Sequence, residues 1–190
     1  MYLPLVPTLS RRLWPQAHTL VRDGLLVLGG SLLVGLLAQV RIPLPFTPVP
    51  ITGQTFGVLL VGASLGASRG AASLLLYLAL GLIGLPVFTN GGQGLSHLAG
   101  PTGGYLLGFI AAAYLTGLLA ERGLERRWQT ALPAFLAGQA LIYLFGVAWL
   151  ALYTGPEAAL ALGLLPFLPG DAIKLVLAAL AIPTAWRVLK

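Results

Sequence analysis

Residues 70–120 read GAASLLLYLALGLIGLPVFTNGGQGLSHLAGPTGGYLLGFIAAAYLTGLLA, 51 positions without one Asp, Glu, Lys or Arg. A soluble domain places charge at about a quarter of its residues, so no water-facing surface can be built from such a run. Residues 128–156 form a second charge-free stretch, of 29 positions. Over the whole chain 57% of residues are hydrophobic and 8% are charged, which leaves no material for a large extramembrane domain. A spanning helix needs roughly 20 apolar residues, so the chain reads as one all-α integral membrane domain over residues 1–190. The net charge of +6 could suggest nucleic acid, but in a membrane protein it reads as arginine at the cytoplasmic face, so no nucleic-acid partner is expected. No cysteine is present, which removes disulfides, thiolate metal sites and a thiol nucleophile.

Charges, glycines and prolines divide the chain into six predicted transmembrane helices: about 24–40, 53–67, 70–85, 103–120, 131–154 and 171–189. Residues 1–23 are expected to be a cytoplasmic N-terminal segment. The apolar run after Arg22 is read as a retained first helix, because Leu36-Leu37-Ala38-Gln39 lacks a small-x-small cleavage pattern. The second and third segments are short and close together, so they read as a tilted pair that needs neighbours to satisfy its backbone. Basic loops stay cytoplasmic. With six spans and both termini inside, Arg11, Arg12, Arg22, Arg69, Arg122, Arg126, Arg127, Arg187 and Lys190 fall on that side, nine of the eleven basic residues. Only Arg41 and Lys174 do not. The outer connections 42–52, 86–102 and 155–170 are rich in Gly and Pro and almost uncharged, a composition suited to shaped loops over a pocket.

Asp171 and Lys174 open the last segment three residues apart, on one helical face. Ionisable groups in a spanning helix cost about 2.5–3.5 kcal/mol each at its centre, so the pair reads as a ligand site or a structural ion pair. Asn90, in Thr89-Asn90-Gly91-Gly92, is a candidate ligand or a turn former. Thr52 and Gln54 open the second segment, the first as a possible helix cap. Arg41 is a second outer cation, or a side chain snorkelling to the interface. Glycines at 53/57, 62/66/70 and 100/104/108 recur at the four-residue spacing that lets helices approach in lipid. Ser31 and Gly35 repeat it and would seat an internal helix or another subunit.

Gly62-Ala63-Ser64-Leu65-Gly66 matches the G-x-S-x-G nucleophile pattern, but Ser64 is expected near the inner end of its helix. His97 and Asp171, its only candidate partners, are expected outside, so no triad forms. Neither lysine lies in a phosphate-binding loop, and two histidines without HExxH make no metal site. The chain therefore reads as no enzyme, with no cofactor and no metal.

Four segments taken together, Pro48-Val49-Pro50-Ile51-Thr52-Gly53-Gln54-Thr55, Gly84-Leu85-Pro86-Val87-Phe88, Gly100-Pro101-Thr102-Gly103-Gly104-Tyr105-Leu106-Leu107-Gly108-Phe109 and Pro169-Gly170-Asp171-x-x-Lys174, resemble the BioY family. These are biotin-binding substrate (S) components of energy-coupling factor transporters in prokaryotic plasma membranes. The resemblance runs in order from about residue 24. It implies a six-helix S-component bundle that captures biotin from outside. Its implied partners are a transmembrane coupling (T) subunit and two cytoplasmic ATPases that use the ATP, and the S component topples against the coupling subunit. Carried over by position, Asp171, Lys174 and Asn90 would bind biotin, with Thr52 and Gln54 next and Arg41 competing with Lys174 for the carboxylate. Phe56, Phe88, Tyr105 and Tyr143 would supply apolar walls, and Ser31 and Gly35 would touch the coupling subunit. The rival readings are the same architecture for thiamine or riboflavin, an intramembrane enzyme using Ser64, and a channel.

Overall fold

The computed structural model describes residues 2–16 and 18–188, and most of them are helical. Helix α1 (Leu5–Leu13) leads into α2 (Thr19–Gln39), followed by a two-residue antiparallel pair, β1 (Arg41–Ile42) and β2 (Ile51–Thr52). Then come α3 (Gln54–Leu65), α4 (Ala67–Leu82), the short α5 (Gly94–Leu98), α6 (Gly103–Ala120), α7 (Trp128–Thr154), α8 (Pro156–Gly163) and α9 (Leu168–Val188). Four runs are long and apolar enough to cross a membrane: Thr19–Gln39, Gly103–Ala120, Trp128–Thr154 and Pro156–Val188, the last containing α9. At 1.5 Å rise per residue, the 21 residues of α2 reach about 31 Å, close to the hydrocarbon thickness. The 12 residues of α3 and 16 of α4 reach only about 18 and 24 Å. The predicted short pair is therefore present, and each helix starts or ends within a few residues of expectation. Leu189 and Lys190, at the expected end of the last helix, lie outside the described residues.

Two departures have clear causes. Residues 1–23 contain helix: α1 buries Leu5, Pro7 and Ser10 against α3 and α9 and leaves Arg11 and Arg12 exposed. Its apolar side covers helix ends, which a reading by charge alone takes for a polar lead. Helix α2 begins at Thr19, before the expected boundary, because Asp23 inside it is paired with Arg69 of α4 at 2.9 Å. Ala67, Ser68 and Arg69, where the second predicted segment meets the third, are helical too. The chain turns at Gly66 instead, with φ +89°, where a Cβ would meet Glu121 and Pro4. Glu121 Oε1 accepts the Ala67 N–H at 3.0 Å, placing a carboxylate at the N-terminus of α4.

Helix α6 is the axis of the bundle, packed along α7 and against α3 and α4. Close approach is built from the predicted glycines: a Cβ at Gly62 would strike Thr116 and Ala113, and one at Gly104 would strike Trp149. One core gathers Val34, Val58, Leu74, Tyr77, Leu106 and Ile142; a second joins Leu59, Phe135, Leu175 and Ile182. Ser31 is 1% exposed and Gly35 faces Val87 and Tyr77, so both positions meet internal neighbours. The three connections rich in Gly and Pro are structured. The first carries the β pair, the second a bridge between Phe88 and Gly92 followed by α5, and the third α8.

Candidate functional site

The N-terminal ends of α3, α6 and α9 converge on a chamber of about 50 Å³. Asp171 lies in the first turn of α9, where the helix dipole favours a carboxylate. It is 4% exposed, so its charge depends on its partners, and it has four. Oδ1 accepts from Lys174 Nζ at 2.8 Å and Thr55 Oγ1 at 3.2 Å; Oδ2 accepts from Gln139 Nε2 at 2.7 Å and the Tyr143 hydroxyl at 2.5 Å. Lys174 Nζ also donates to the Thr52 carbonyl at 2.6 Å and to Thr55 Oγ1 at 3.2 Å. The ammonium therefore spends its three protons on an acceptor from each of α9, the β2 strand and α3. An ion pair enclosed to this degree is stable only with such additional hydrogen bonds.

Gln54 forms a second knot, 4% exposed. Its Nε2 donates to the Tyr77 hydroxyl at 2.8 Å, and its Oε1 accepts from Thr89 at 2.8 Å and Thr52 at 3.1 Å. The N-cap of α3 is Gly53, and Thr52, one residue before it on the chamber wall, accepts the Gln54 N–H on its Oγ1 at 3.3 Å. The remaining wall is apolar or aromatic: Val49, Leu106, Phe109, Phe167 and the ring of Tyr105, whose hydroxyl donates to the Gly163 carbonyl at 2.7 Å.

Outside the chamber lies a vestibule of about 440 Å³ between the β-pair arm and the α5 loop. Pro50, Thr89, His97 and Thr102 line both spaces and form the neck. Arg41 and Asn90 line the vestibule and not the chamber. Asn90 adopts φ +63°, the turn-former alternative. Phe88 is wholly buried behind the neck, edge-on to Tyr77 at 5.4 Å and stacked on His97 at 5.0 Å. It supports the wall without lining it. Phe56 turns away into the core beside α9. Tyr143 reaches the chamber through Asp171 alone. Burial lowers the His97 pKa, which keeps the ring neutral at physiological pH with one donor and one acceptor.

Sequence reading missed Thr55, Gln139, His97 and Gln39. Gln139 and Tyr143 are four residues apart, hence on one face of α7, and that spacing in an uncharged run was the available signal. Gln39 Nε2 donates to the Val87 and Phe88 carbonyls at 3.4 and 3.1 Å, and its Oε1 accepts the Gly91 N–H at 3.2 Å. It ties α2 to the loop that carries Asn90.

A membrane-embedded helical bundle with one end closed over a polar floor and apolar walls is the architecture of a small-molecule receptor. The comparisons give that class a family. The BioY family model matches residues 10–190, and the chain belongs to the BioY family. It is 42% identical over 164 residues to the biotin transporter BioY of Rhizobium etli, covering 82% of this chain and 88% of that one. It is 42% identical over 174 residues to the biotin transporter BioY of Rhodobacter capsulatus, with 80% and 90% covered. The corresponding protein of Thermotoga maritima is 44% identical over 140 residues, with 73% and 82% covered. Among solved structures, the crystal structure of an S-component for biotin from an ECF-type ABC transporter superposes with a TM-score of 0.80 at 30% identity. It covers 90% of this chain and 95% of that one.

Proposed function

We propose that this chain is the biotin-binding S component of an energy-coupling factor transporter in a prokaryotic plasma membrane. The observation that carries the proposal is the Asp171–Lys174 pair at the floor of an outer chamber, in a fold shared with a solved S-component for biotin. Biotin presents a ureido ring with two N–H donors, an apolar thioether ring and a carboxylate on an aliphatic chain. Asp171 offers the acceptor, Lys174 the cation, and Leu106, Phe109 and Phe167 the apolar wall.

The protein performs no chemistry on its ligand in this proposal. Every polar group on the floor already has a partner, so a ureido N–H that reaches Asp171 replaces Tyr143 or Gln139, and an anion that reaches Lys174 replaces the Thr52 carbonyl. A chamber of about 50 Å³ is far below the roughly 300–1,000 Å³ of ligand pockets in general, so the β-pair arm and the α5 loop part to admit biotin and close behind it. Arg41 in the vestibule draws the carboxylate toward the neck. The chain crosses the membrane six times with both termini cytoplasmic, α3 and α4 being tilted or partial spans. Reorientation against the coupling subunit, driven by two ATPases, then releases the ligand inside. Calorimetric titration of the purified chain with biotin, thiamine and riboflavin tests the proposal: saturable binding of biotin alone is expected, and binding of thiamine or riboflavin without biotin overturns it.

A further inference from the structure

The end of the molecule opposite the chamber holds a larger cavity, about 670 Å³, bounded by α1, the α6–α7 turn and the last turns of α9. Its described wall includes Arg12, Arg126, Arg127 and Arg187 and no acidic side chain. Of the two carboxylates nearest in sequence, one is engaged elsewhere and the other lies behind the wall, 3.8 Å from Arg126 Nε. Glu121 accepts from the Ala67 N–H, and Glu125 is 2% exposed and accepts from the Trp186 indole at 3.1 Å. Arg126 is fixed between two rings, 4.4 Å from the Tyr2 centroid and 4.5 Å from that of Trp186. The Arg127 and Arg187 side chains meet no partner among the described residues. Arg126 is partly balanced by Glu125, so the charge left open to the concavity is that of Arg127 and Arg187, which an anion there neutralises.

The rest of the wall says which anion. Leu3, Leu9, Pro183 and Trp186 make it half apolar, and it sits where membrane-spanning helices end, beside an amphipathic helix with arginines on its polar side. That is the level of lipid headgroups, and basic pockets between helix ends suit their phosphates. We propose that this cavity is a binding site for an anionic glycerophospholipid, its phosphate held by Arg127 and Arg187 with Arg126 and Arg12 on the flanks. The bidentate fork of arginine matches a phosphate edge. The inference does not depend on which vitamin fills the chamber.

The test is native mass spectrometry of the full chain in uncharged detergent, with equimolar dioleoyl-phosphatidylglycerol and dioleoyl-phosphatidylcholine. One phosphatidylglycerol is expected to remain bound about tenfold in preference to phosphatidylcholine, and millimolar inorganic phosphate is expected to leave it in place. This selectivity is read on the unaltered protein and needs no variant to fold. The double variant Arg127→Gln/Arg187→Gln should lose about tenfold of that retention, whereas Arg11→Gln/Arg122→Gln, at the same end but off the cavity wall, should keep it. Equal retention of the two lipids, displacement by inorganic phosphate, or equal loss in the two double variants overturns the proposal.

Discussion

Asp171 has both oxygens committed to protein donors, and Lys174 is the only formal counter-charge among them. The expected result of Asp171→Asn or Lys174→Ala is at least about tenfold weaker biotin binding by calorimetry, about 1.4 kcal/mol or more. Lys174→Ala also leaves a carboxylate buried without its cation, a loss of roughly 3–5 kcal/mol of stability, so its melting temperature should fall further than that of Asp171→Asn. The pair was legible because charge is rare in an apolar helix. Thr55 and Gln139 were not, since a neutral polar residue in a helix has many innocent uses and these two lie 116 and 32 residues from Asp171. Glu125 gives a second residue-scale expectation. Burial raises its pKa above the ordinary 4.5, against the opposing pull of its own backbone, Arg126 and Trp186. The folded chain then holds the proton to higher pH than the unfolded chain. This contribution to stability is whole below the ordinary carboxylate range and is lost as pH rises through the raised value. Glu125→Gln should therefore melt higher than the parent at pH 7.5, with the difference vanishing below the ordinary carboxylate range in a thermal-unfolding series.

At the scale of elements, charge-free runs located α2, α3, α4, α6, α7 and α9 because a helix satisfies its own backbone in lipid. Helix α1 escaped because its apolar side is only three or four residues long and is followed by two arginines. The β pair escaped because two residues carry no periodicity. Glycine and proline did mark the outer connections as shaped, although not that they hold α5 and α8. Helix α4 and the loop after it are joined by one insertion: Phe88 fills the space that a side chain at Gly81 would take. Gly81→Val should force the ring out, destabilise the fold by about 1–3 kcal/mol in thermal unfolding, and weaken biotin binding through the His97 stack. An unchanged melting temperature would show that the ring relocates freely.

For the whole molecule, the lack of cysteine makes each introduced thiol unique. On the proposed topology of six crossings with both termini inside, a membrane-impermeant maleimide added to intact cells should label Leu95→Cys and not Trp14→Cys, both positions being exposed. Labelling of both from outside would contradict the topology. The β-pair arm is fastened to the third connection by Thr47 Oγ1 donating to the Leu162 carbonyl at 2.8 Å. Joining Thr47→Cys to Leu162→Cys with a short bis-maleimide should hold the arm down and slow biotin uptake into the purified chain by about tenfold or more. The narrow chamber beneath a wide vestibule also has a meaning in time. If ligand can pass only when the arm lifts, the observed association rate climbs with biotin concentration and then levels off at the frequency of lifting. Departure obeys the same shutter. A cargo that must not escape outward while its carrier turns is thereby kept by a slow clock, independently of how strongly it is held.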